Sequence, residues 1–263
     1  MRRMGGSLQT LIRDLRLRRG RERRGLALAE GVRLVEEAVS TGIGFRGAAI
    51  APALEGTARG KALKAALQRA GVNLVAVSDP ELAELADTEQ PQGVLAVVEP
   101  PDWGWANLPA NPGSVVLALD AVQDPGNVGT ILRTAFALGA AGVIALKGTA
   151  ELHNPKVMRG SMGALFRLPA FSAGEDQLTQ WLSDDGVELW VTETGGEPIR
   201  RSGTRLSNGP PIALALGNEG AGVSAELSAR ATRRVGIPLV PGAESLNVAV
   251  AAGILLYEVM RAG

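Results

Sequence analysis

Hydrophobic positions divide the chain into two stretches in which predicted helices and strands alternate. In the first stretch, Leu8, Leu11, Ile12 and Leu15 recur at spacings of three and four, which predicts an amphipathic helix. Further helices are predicted near residues 28–39, 58–70 and 81–86, and strands at 48–51, 72–77 and 93–98. This alternation predicts a small α/β unit over residues 1–98.

Residues 99–113 interrupt the pattern with four prolines and two tryptophans. Proline lacks a backbone donor and fixes φ, so neither a helix nor a central strand is expected here. We predict a linker, with the tryptophans capping a domain surface.

From residue 114 onward the pattern is that of a buried parallel sheet. Residues 115–119 form an almost continuous apolar run, as expected for a strand covered on both faces. Further strands are predicted at 142–146, 188–192, 212–216 and 235–238, and helices at 128–138, 156–165, 177–183 and 246–261. Residues 114–263 are therefore predicted to form one open α/β domain, with ligands at the carboxyl ends of its strands.

Composition narrows the chemistry. The chain has no cysteine and a single histidine, His153, so a disulfide framework, a thiolate nucleophile and a Cys/His zinc site are excluded and no metal is expected. One Ser-His-Asp triad stays possible. The longest apolar stretches, such as 248–257, are about half of what a bilayer demands, and the N-terminus lacks the apolar region of a signal peptide. We expect a cytoplasmic soluble protein with no membrane partner.

The net charge of zero hides an asymmetry. Residues 1–24 hold nine arginines and two acids, a net charge of +7, whereas the rest holds 18 basic and 25 acidic residues, a net charge of −7. A basic arm on an acidic body predicts contact with RNA or DNA. The alternative is a merely solubilising arm, since the 23 arginines against four lysines also fit a coding bias.

Gly42, Gly44 and Gly47 spell the dinucleotide-binding pattern G-x-G-x-x-G. That motif binds pyrophosphate only where it leaves a strand and opens a helix. Here it leaves a predicted helix and enters a strand, so we interpret it as a flexible turn.

Three segments of the second domain carry candidate chemistry. Asn127 begins a predicted helix and Arg133 lies under two turns further, suited to phosphate or a developing oxyanion, although an N-cap and a salt-bridged arginine explain them equally well. Residues 217–222, Gly-Asn-Glu-Gly-Ala-Gly, follow an apolar strand and allow close backbone approach to a ligand, or form an ordinary turn. In residues 237–248, Ser245 or Asn247 could simply cap the last helix.

In this order, the strings N-x-G-x-x-x-R, L-G-N-E-G-x-G and I-P-x-x-x-x-x-x-S-L-N-V resemble the three motifs of the SpoU/TrmH family of RNA ribose 2′-O-methyltransferases, within the SPOUT superfamily. The resemblance covers essentially the whole second domain. The basic start, Glu30-Gly31 and Pro91-Gln-Gly-Val are similar to the substrate-binding domain of ribosomal RNA members. The stretch from His153 to Gly163 resembles a further family segment, so His153 need not be a catalytic base.

The resemblance implies a deep trefoil knot whose loops hold S-adenosylmethionine. It implies cofactor contacts by the following residues: Thr192, Glu193, Gly195, Leu216, Gly217, Gly220, Ile237, Pro238 and Leu246. It also implies a catalytic group of Arg133, Asn127, Glu219, Ser245 and Asn247.

Accounts of the family often make the arginine of the first motif, here Arg133, the general base that deprotonates the ribose hydroxyl. A guanidinium, however, stays protonated in proteins. We expect Arg133 instead to stabilise the forming alkoxide and a neighbouring phosphate, with Asn127 orienting it and Glu219 pairing with it.

The resemblance also implies a homodimer and an RNA substrate. The appended first domain favours large-subunit (23S-type) ribosomal RNA. The alternatives are a transfer RNA methyltransferase, an enzyme that protects ribosomes from an antibiotic, and a non-catalytic RNA-binding protein. A Rossmann NAD-linked enzyme is disfavoured by the misplaced glycine motif.

Overall fold

The computed structural model describes residues 5–199 and 209–261, without the side chains of residues 5–7 and 261. The chain forms two compact units. The first comprises the described residues up to Asp102 together with His153–Arg167, and the second comprises Trp103–Leu152 and the described residues from Leu168 onward. The break after Asp102 falls inside the predicted linker. The assignment of His153–Arg167 to the first unit differs from our prediction that 114–263 is one continuous domain.

The first unit is built on a four-stranded mixed sheet with strand order β1-β4-β2-β3. Its strands are β1 (Ala27–Glu30), β2 (Gly44–Ile50), β3 (Leu74–Ala76) and β4 (Val94–Glu99). Strand β4 pairs antiparallel with β1 and β2, while β2 pairs parallel with β3. Its helices are α1 (Gly5–Leu15), α2 (Arg18–Arg24), α3 (Val32–Thr41), α4 (Ala58–Arg69), α5 (Asp79–Leu85) and α7 (Pro155–Ser161). Leu8, Ile12 and Leu15 of α1 are buried in the core, as their spacing predicts.

One predicted helix in this unit is wrong at its start. Leu28 lies in β1 rather than in a helix, and the helix begins only at Val32. All four residues of β1 are buried, so pairing with β4 outweighs the helical spacing of Leu28 with Val32 and Val35. The glycine pattern is a helix-to-strand turn as predicted, because Gly42 ends α3 with φ 70° and Gly44 begins β2.

The second unit is an all-parallel, six-stranded sheet with order β10-β8-β9-β5-β6-β7. The strands are β5 (Val115–Leu119), β6 (Gly142–Ala145), β7 (Ala170–Ser172), β8 (Glu188–Pro198), β9 (Ile212–Leu216) and β10 (Arg233–Gly236). The helices are α6 (Pro125–Leu138), α8 (Glu175–Asp184), α9 (Ala225–Ala229) and α10 (Val248–Arg261). The central strands β5 and β9 are buried at every position, which explains their unbroken apolar runs.

The part of the proline-rich segment that follows Asp102 belongs to the second unit. Leu108 is buried in its core, and the Trp105 ring lies 5.0 Å from that of Phe171 and 5.6 Å from that of Trp181. Part of the predicted linker therefore belongs to the folded domain, and Trp105 covers one of its surfaces.

Helices α6 and α10 pack closely against each other. A Cβ added at Gly253 would lie 3.4 Å from the Thr134 methyl group. On their outer side both helices present apolar side chains: Phe136 of α6, and Val250, Ile254 and Tyr257 of α10, are all exposed. No helix in the described ranges is long and apolar enough to cross a membrane.

Candidate functional site

A cleft of about 420 Å³ opens where three neighbouring strands of the second unit end. The carboxyl-terminal part of β8, the loop after β9 and the segment from the end of β10 to α10 form its walls. The lining residues are Thr192, Glu193, Thr194, Leu216, Gly217, Asn218, Glu219, Gly220, Gly222, Gly236, Ile237, Leu239, Glu244, Ser245, Leu246, Val248, Ala251 and Leu255. Strand order places together segments that are distant in sequence, as expected at this edge of a parallel sheet.

Most residues that the resemblance assigns to the cofactor line this cleft. They are Thr192, Glu193, Leu216, Gly217, Gly220, Ile237 and Leu246. Gly195 and Pro238 are not among the lining residues, whereas Thr194, next to Gly195, is. The sequence analysis missed Glu244, Leu239 and the first turns of α10. Only Gly236, a glycine inside the predicted strand 235–238, could have signalled a close approach to the backbone at this wall.

Gly217 is the tightest point of the cleft. A Cβ there would lie 2.1 Å from the carbonyl carbon of Gly222 and 2.2 Å from the amide nitrogen of Val223. The loop after β9 therefore folds back upon itself, and the amide groups of Asn218 and Gly222 each donate to the other's carbonyl oxygen. Glycine is required because the backbone occupies the space of a side chain.

The loop after β9 is fastened to the loop after β5 by two polar side chains. Asn218 donates from Nδ2 to the Ala121 carbonyl at 3.1 Å, and its Oδ1 accepts from the amide groups of Gly220 and Ala221. Asp120, which is 8% exposed, accepts from the Ser224 amide at 2.7 Å. Neither side chain was assigned a role from the sequence, although Asp120 directly follows β5 and Asn218 is the second residue after β9.

A chain of hydrogen bonds joins three predicted catalytic residues. Asn127 donates from Nδ2 to Glu219 Oε1 at 2.7 Å and accepts at Oδ1 from Asn247 Nδ2 at 2.9 Å. Because an amide donates and accepts at once, Asn127 connects the carboxylate of one loop to the amide of another. The three motifs thus meet at one end of α6.

Capping of a helix N-terminus accounts for only some of the candidate catalytic residues. Asp124, not Asn127, caps α6, since its carboxylate accepts from the Asn127 amide at 2.8 Å. Asn247 does cap α10, accepting at Oδ1 from Ala249 and Val250, while its amide group remains directed at Asn127. Ser245 lines the cleft.

Arg133 stands apart from this network. It is exposed on α6, six residues and therefore roughly 9 Å along the helix axis from Asn127. Within the described part of the chain its side chain makes neither a hydrogen bond nor an ion pair, so the expected pairing with Glu219 is absent. Thr130, Arg133 and Phe136 share one exposed stripe of α6.

Two further carboxylates border the cleft. Glu193 accepts from Arg234 at 2.9 Å, while Glu244 is exposed. In residues 5–199 and 209–261 no cluster of three or more His, Cys, Asp or Glu side chains could hold a metal ion. His153 lies in the first unit.

The described part of the basic arm, residues 5–24, is largely helical. Arg21 is buried and donates to the carbonyl groups of Leu15 and Arg16. Arg23 and Arg24 both bind the carboxylate of Asp14. Their hydrogen bonds, with the larger effect from Arg24, hold the pKa of Asp14 below the ordinary value of 3.8. Several arginines that the sequence analysis reserved for nucleic acid therefore also stabilise the first unit itself.

An open parallel sheet with a glycine-lined cleft at the carboxyl ends of its strands defines an α/β protein that binds a ligand at this edge. The model of the SpoU rRNA Methylase family matches residues 114–257. The model of an MRM3-like substrate binding domain matches residues 10–96. The chain belongs to the SpoU rRNA methylase family.

Relatives of this chain act on ribosomal RNA. The 23S rRNA (guanosine(2553)-2′-O)-methyltransferase of Bacillus subtilis is 36% identical over 72% of this chain and 73% of its own length. The crystal structure of the SpoU methyltransferase AviRb from Streptomyces viridochromogenes, in complex with the cofactor AdoMet, has a TM-score of 0.85 and 31% identity over 96% of each chain. An AdoMet-bound rRNA methyltransferase from Sinorhizobium meliloti has a TM-score of 0.84 and 29% identity over 99% of this chain and 97% of that one.

Proposed function

We propose that this protein transfers a methyl group from S-adenosylmethionine to a ribose 2′-hydroxyl of large-subunit ribosomal RNA. Family membership and the named activity of the Bacillus subtilis relative support this reaction. The observation that carries it is the meeting of Asn127, Glu219 and Asn247 beside a glycine-lined cleft. Support for an RNA substrate also comes from the substrate-binding model matched by residues 10–96.

The cleft fits S-adenosylmethionine in size and chemistry. Its volume of about 420 Å³ lies within the roughly 300–1,000 Å³ of small-molecule sites. Leu216, Ile237 and Leu246 offer apolar surface for an adenine ring, and Gly217 lets the backbone approach it. The carboxylates of Glu193 and Glu244 suit a positively charged ligand. When bound, the cofactor supplies an electrophilic methyl group.

We propose that Arg133 acts on the RNA and not on the cofactor. Its exposed guanidinium has no acidic partner in the described residues, so it is available to a phosphate or to the oxygen that becomes negative in the reaction. Asn127 and Asn247 would hold Glu219 toward the reacting ribose, and Ser245 would add a hydroxyl to the same pocket.

The alternative role of Arg133 is that of the base. A pH–rate profile of Arg133→Lys separates the two roles. If Arg133 stabilises charge, the variant loses activity at all pH values without a new ionisation. Retained activity with a lowered apparent pKa would instead make residue 133 the base, because an ammonium group loses its proton more readily than a guanidinium.

We propose a homodimer formed through the outer faces of α6 and α10. Phe136 of α6 and Val250, Ile254 and Tyr257 of α10 are large hydrophobic side chains that are exposed on two helices in contact with each other, and Arg133 lies on the same stripe of α6 as Phe136. Such a surface favours a protein partner over water. Light scattering at micromolar concentration should give twice the chain mass, and Ile254→Asp should give the mass of one chain. A wild-type protein of single-chain mass would refute the dimer.

A trefoil knot in the second unit and a cytoplasmic location complete the proposal. The knot is implied by the family resemblance, and the shared cleft of β8, β9 and β10 is compatible with it. The location follows from the substrate, since ribosomal RNA is an intracellular molecule.

The function is tested with tritiated S-adenosylmethionine and purified RNA. We expect label on unmodified large-subunit ribosomal RNA, none on transfer RNA, and one nucleotide that resists alkaline cleavage. Calorimetry should show cofactor binding without RNA. Label on transfer RNA alone would change the substrate, and an absence of both label and cofactor binding would leave a non-catalytic RNA-binding protein.

A further inference from the structure

The first unit contains a second, smaller cavity that the proposed reaction does not use. It has a volume of about 180 Å³ and lies between the start of α3, the loop before β4 and the end of α7. Sites for whole small molecules occupy roughly 300–1,000 Å³, so this cavity accommodates a single planar ring.

The walls of the cavity are fixed by the buried carboxylate of Glu30. This side chain accepts from the amide groups of Asp87 and Thr88, from the Thr88 hydroxyl, and from Arg159 Nη1 at 3.3 Å. Arg159 also donates to Asp87 at 2.7 Å. Glu30 thus holds Thr88 and Arg159 in place on one wall of the cavity. Because its carboxylate already accepts four hydrogen bonds, it has no capacity left for a ligand, and Glu30 is a positioning residue.

Other polar groups at the cavity are available to a ligand. Neither Arg33 nor Gln90 has a side-chain partner in the described ranges. Gln92 accepts at Oε1 from the Val32 amide at 3.0 Å, which leaves its amino group as a donor. Arg33 and Gln92 therefore offer donors, whereas Gln90 offers a donor and an acceptor.

We propose that this cavity binds one unstacked uracil of the RNA substrate. The edge of uracil carries two carbonyl oxygens and one N–H, which complements donors from Arg33 and Gln92 and the acceptor of Gln90. Leu34 and Met162 supply the apolar contacts to the ring. None of the described lining residues is aromatic. The planar guanidinium groups of the two lining arginines, Arg33 and Arg159, are therefore the surfaces on which a base can stack. A base within a helix presents only its edge, and the cavity therefore selects a single-stranded nucleotide.

This inference rests on the proposed function for its RNA substrate, but its test is independent of methyl transfer. Binding of fluorescein-labelled octauridylate and octaadenylate to the full chain is measured by anisotropy. We expect octauridylate to bind at least about fivefold more tightly, and Arg33→Ala or Gln90→Ala to weaken it about tenfold, as loss of a hydrogen bond to a ligand implies. Arg69→Ala is the matched control, because Arg69 is an exposed arginine of the same unit that does not line the cavity.

Photocrosslinking is the second measurement, and it locates the bound nucleobase on the protein. An octamer with one central 4-thiouridine should crosslink to peptides that contain residues 88–92 or 159–162. Equal affinity for both octamers, equal weakening by Arg33→Ala and Arg69→Ala, or crosslinks confined to other peptides would each overturn the proposal. Affinity for S-adenosylmethionine should be unchanged in all three variants. A wild-type chain that binds octauridylate through the cavity but labels no RNA would refute the proposed reaction and leave this site standing.

Discussion

Replacement of Gly217 by alanine should weaken cofactor binding about 100-fold without unfolding the protein. The added Cβ would lie 2.1 Å and 2.2 Å from two backbone atoms, where ordinary contacts begin at 3.4 Å. Because no flexible side chain can move aside, the loop after β9 must shift by on the order of 1 Å, and a displacement of this size costs about 100-fold in a positioned site. That factor corresponds to about 2.7 kcal/mol of binding free energy. The cost to folding is that of an overpacked site, about 1–3 kcal/mol.

Calorimetry with S-adenosylmethionine measures the affinity, and circular dichroism at the same temperature shows whether the variant is folded. Gly174→Ala is the matched control in the second unit, because Gly174 does not line the cleft, its Cβ would lie 3.6 Å from Gln177 Oε1 and its φ is −79°. We expect this control to bind within about threefold of the wild type, which is less than 1 kcal/mol. A folded Gly217→Ala chain with wild-type affinity would refute the assignment of the cleft to the cofactor.

Three further predictions concern side-chain networks. Asn127→Ala should lower single-turnover methyl transfer about 10- to 100-fold with little change in cofactor affinity, since the hydrogen bond that Asn127 donates to Glu219 and the one that it accepts from Asn247 are both lost; an equal loss of affinity would contradict a positioning role. Glu30→Gln should destabilise the first unit by about 2–4 kcal/mol in urea unfolding, because four donors converge on that buried carboxylate; an unchanged midpoint would argue against it. Since Arg24 and Arg23 lower the pKa of Asp14, its ionised form stabilises the folded state above the unfolded pKa, and this contribution is lost as the pH falls through the folded pKa. Asp14→Asn should therefore lower the melting temperature at about pH 7, and this effect should shrink as the pH falls below 3.8, the ordinary value of this pKa; an effect of equal size at every pH would oppose this linkage.

The fold class follows from local patterns because burial on both faces requires unbroken apolar runs. Strands β5 and β9 have the predicted bounds, and the helix of Leu8, Ile12 and Leu15 follows from its spacing. The start of α3 does not, because Leu28 satisfies a helical period as well as a strand, and only pairing of β1 with β4 decides between them.

The sequence by itself determined which residue types form the site. The segments that follow the apolar strands contain the glycines, amides and carboxylates of the cleft. Tertiary structure decided their partners. Glu219 and Asn127 are 92 residues apart and meet only through the strand order, so the carboxylate binds an amide where local reasoning paired it with Arg133. The same holds for Arg159, which contacts Glu30 from 129 positions away. Contacts of this range depend on how the sheets are assembled, and no local pattern of hydrophobic and polar residues records that assembly.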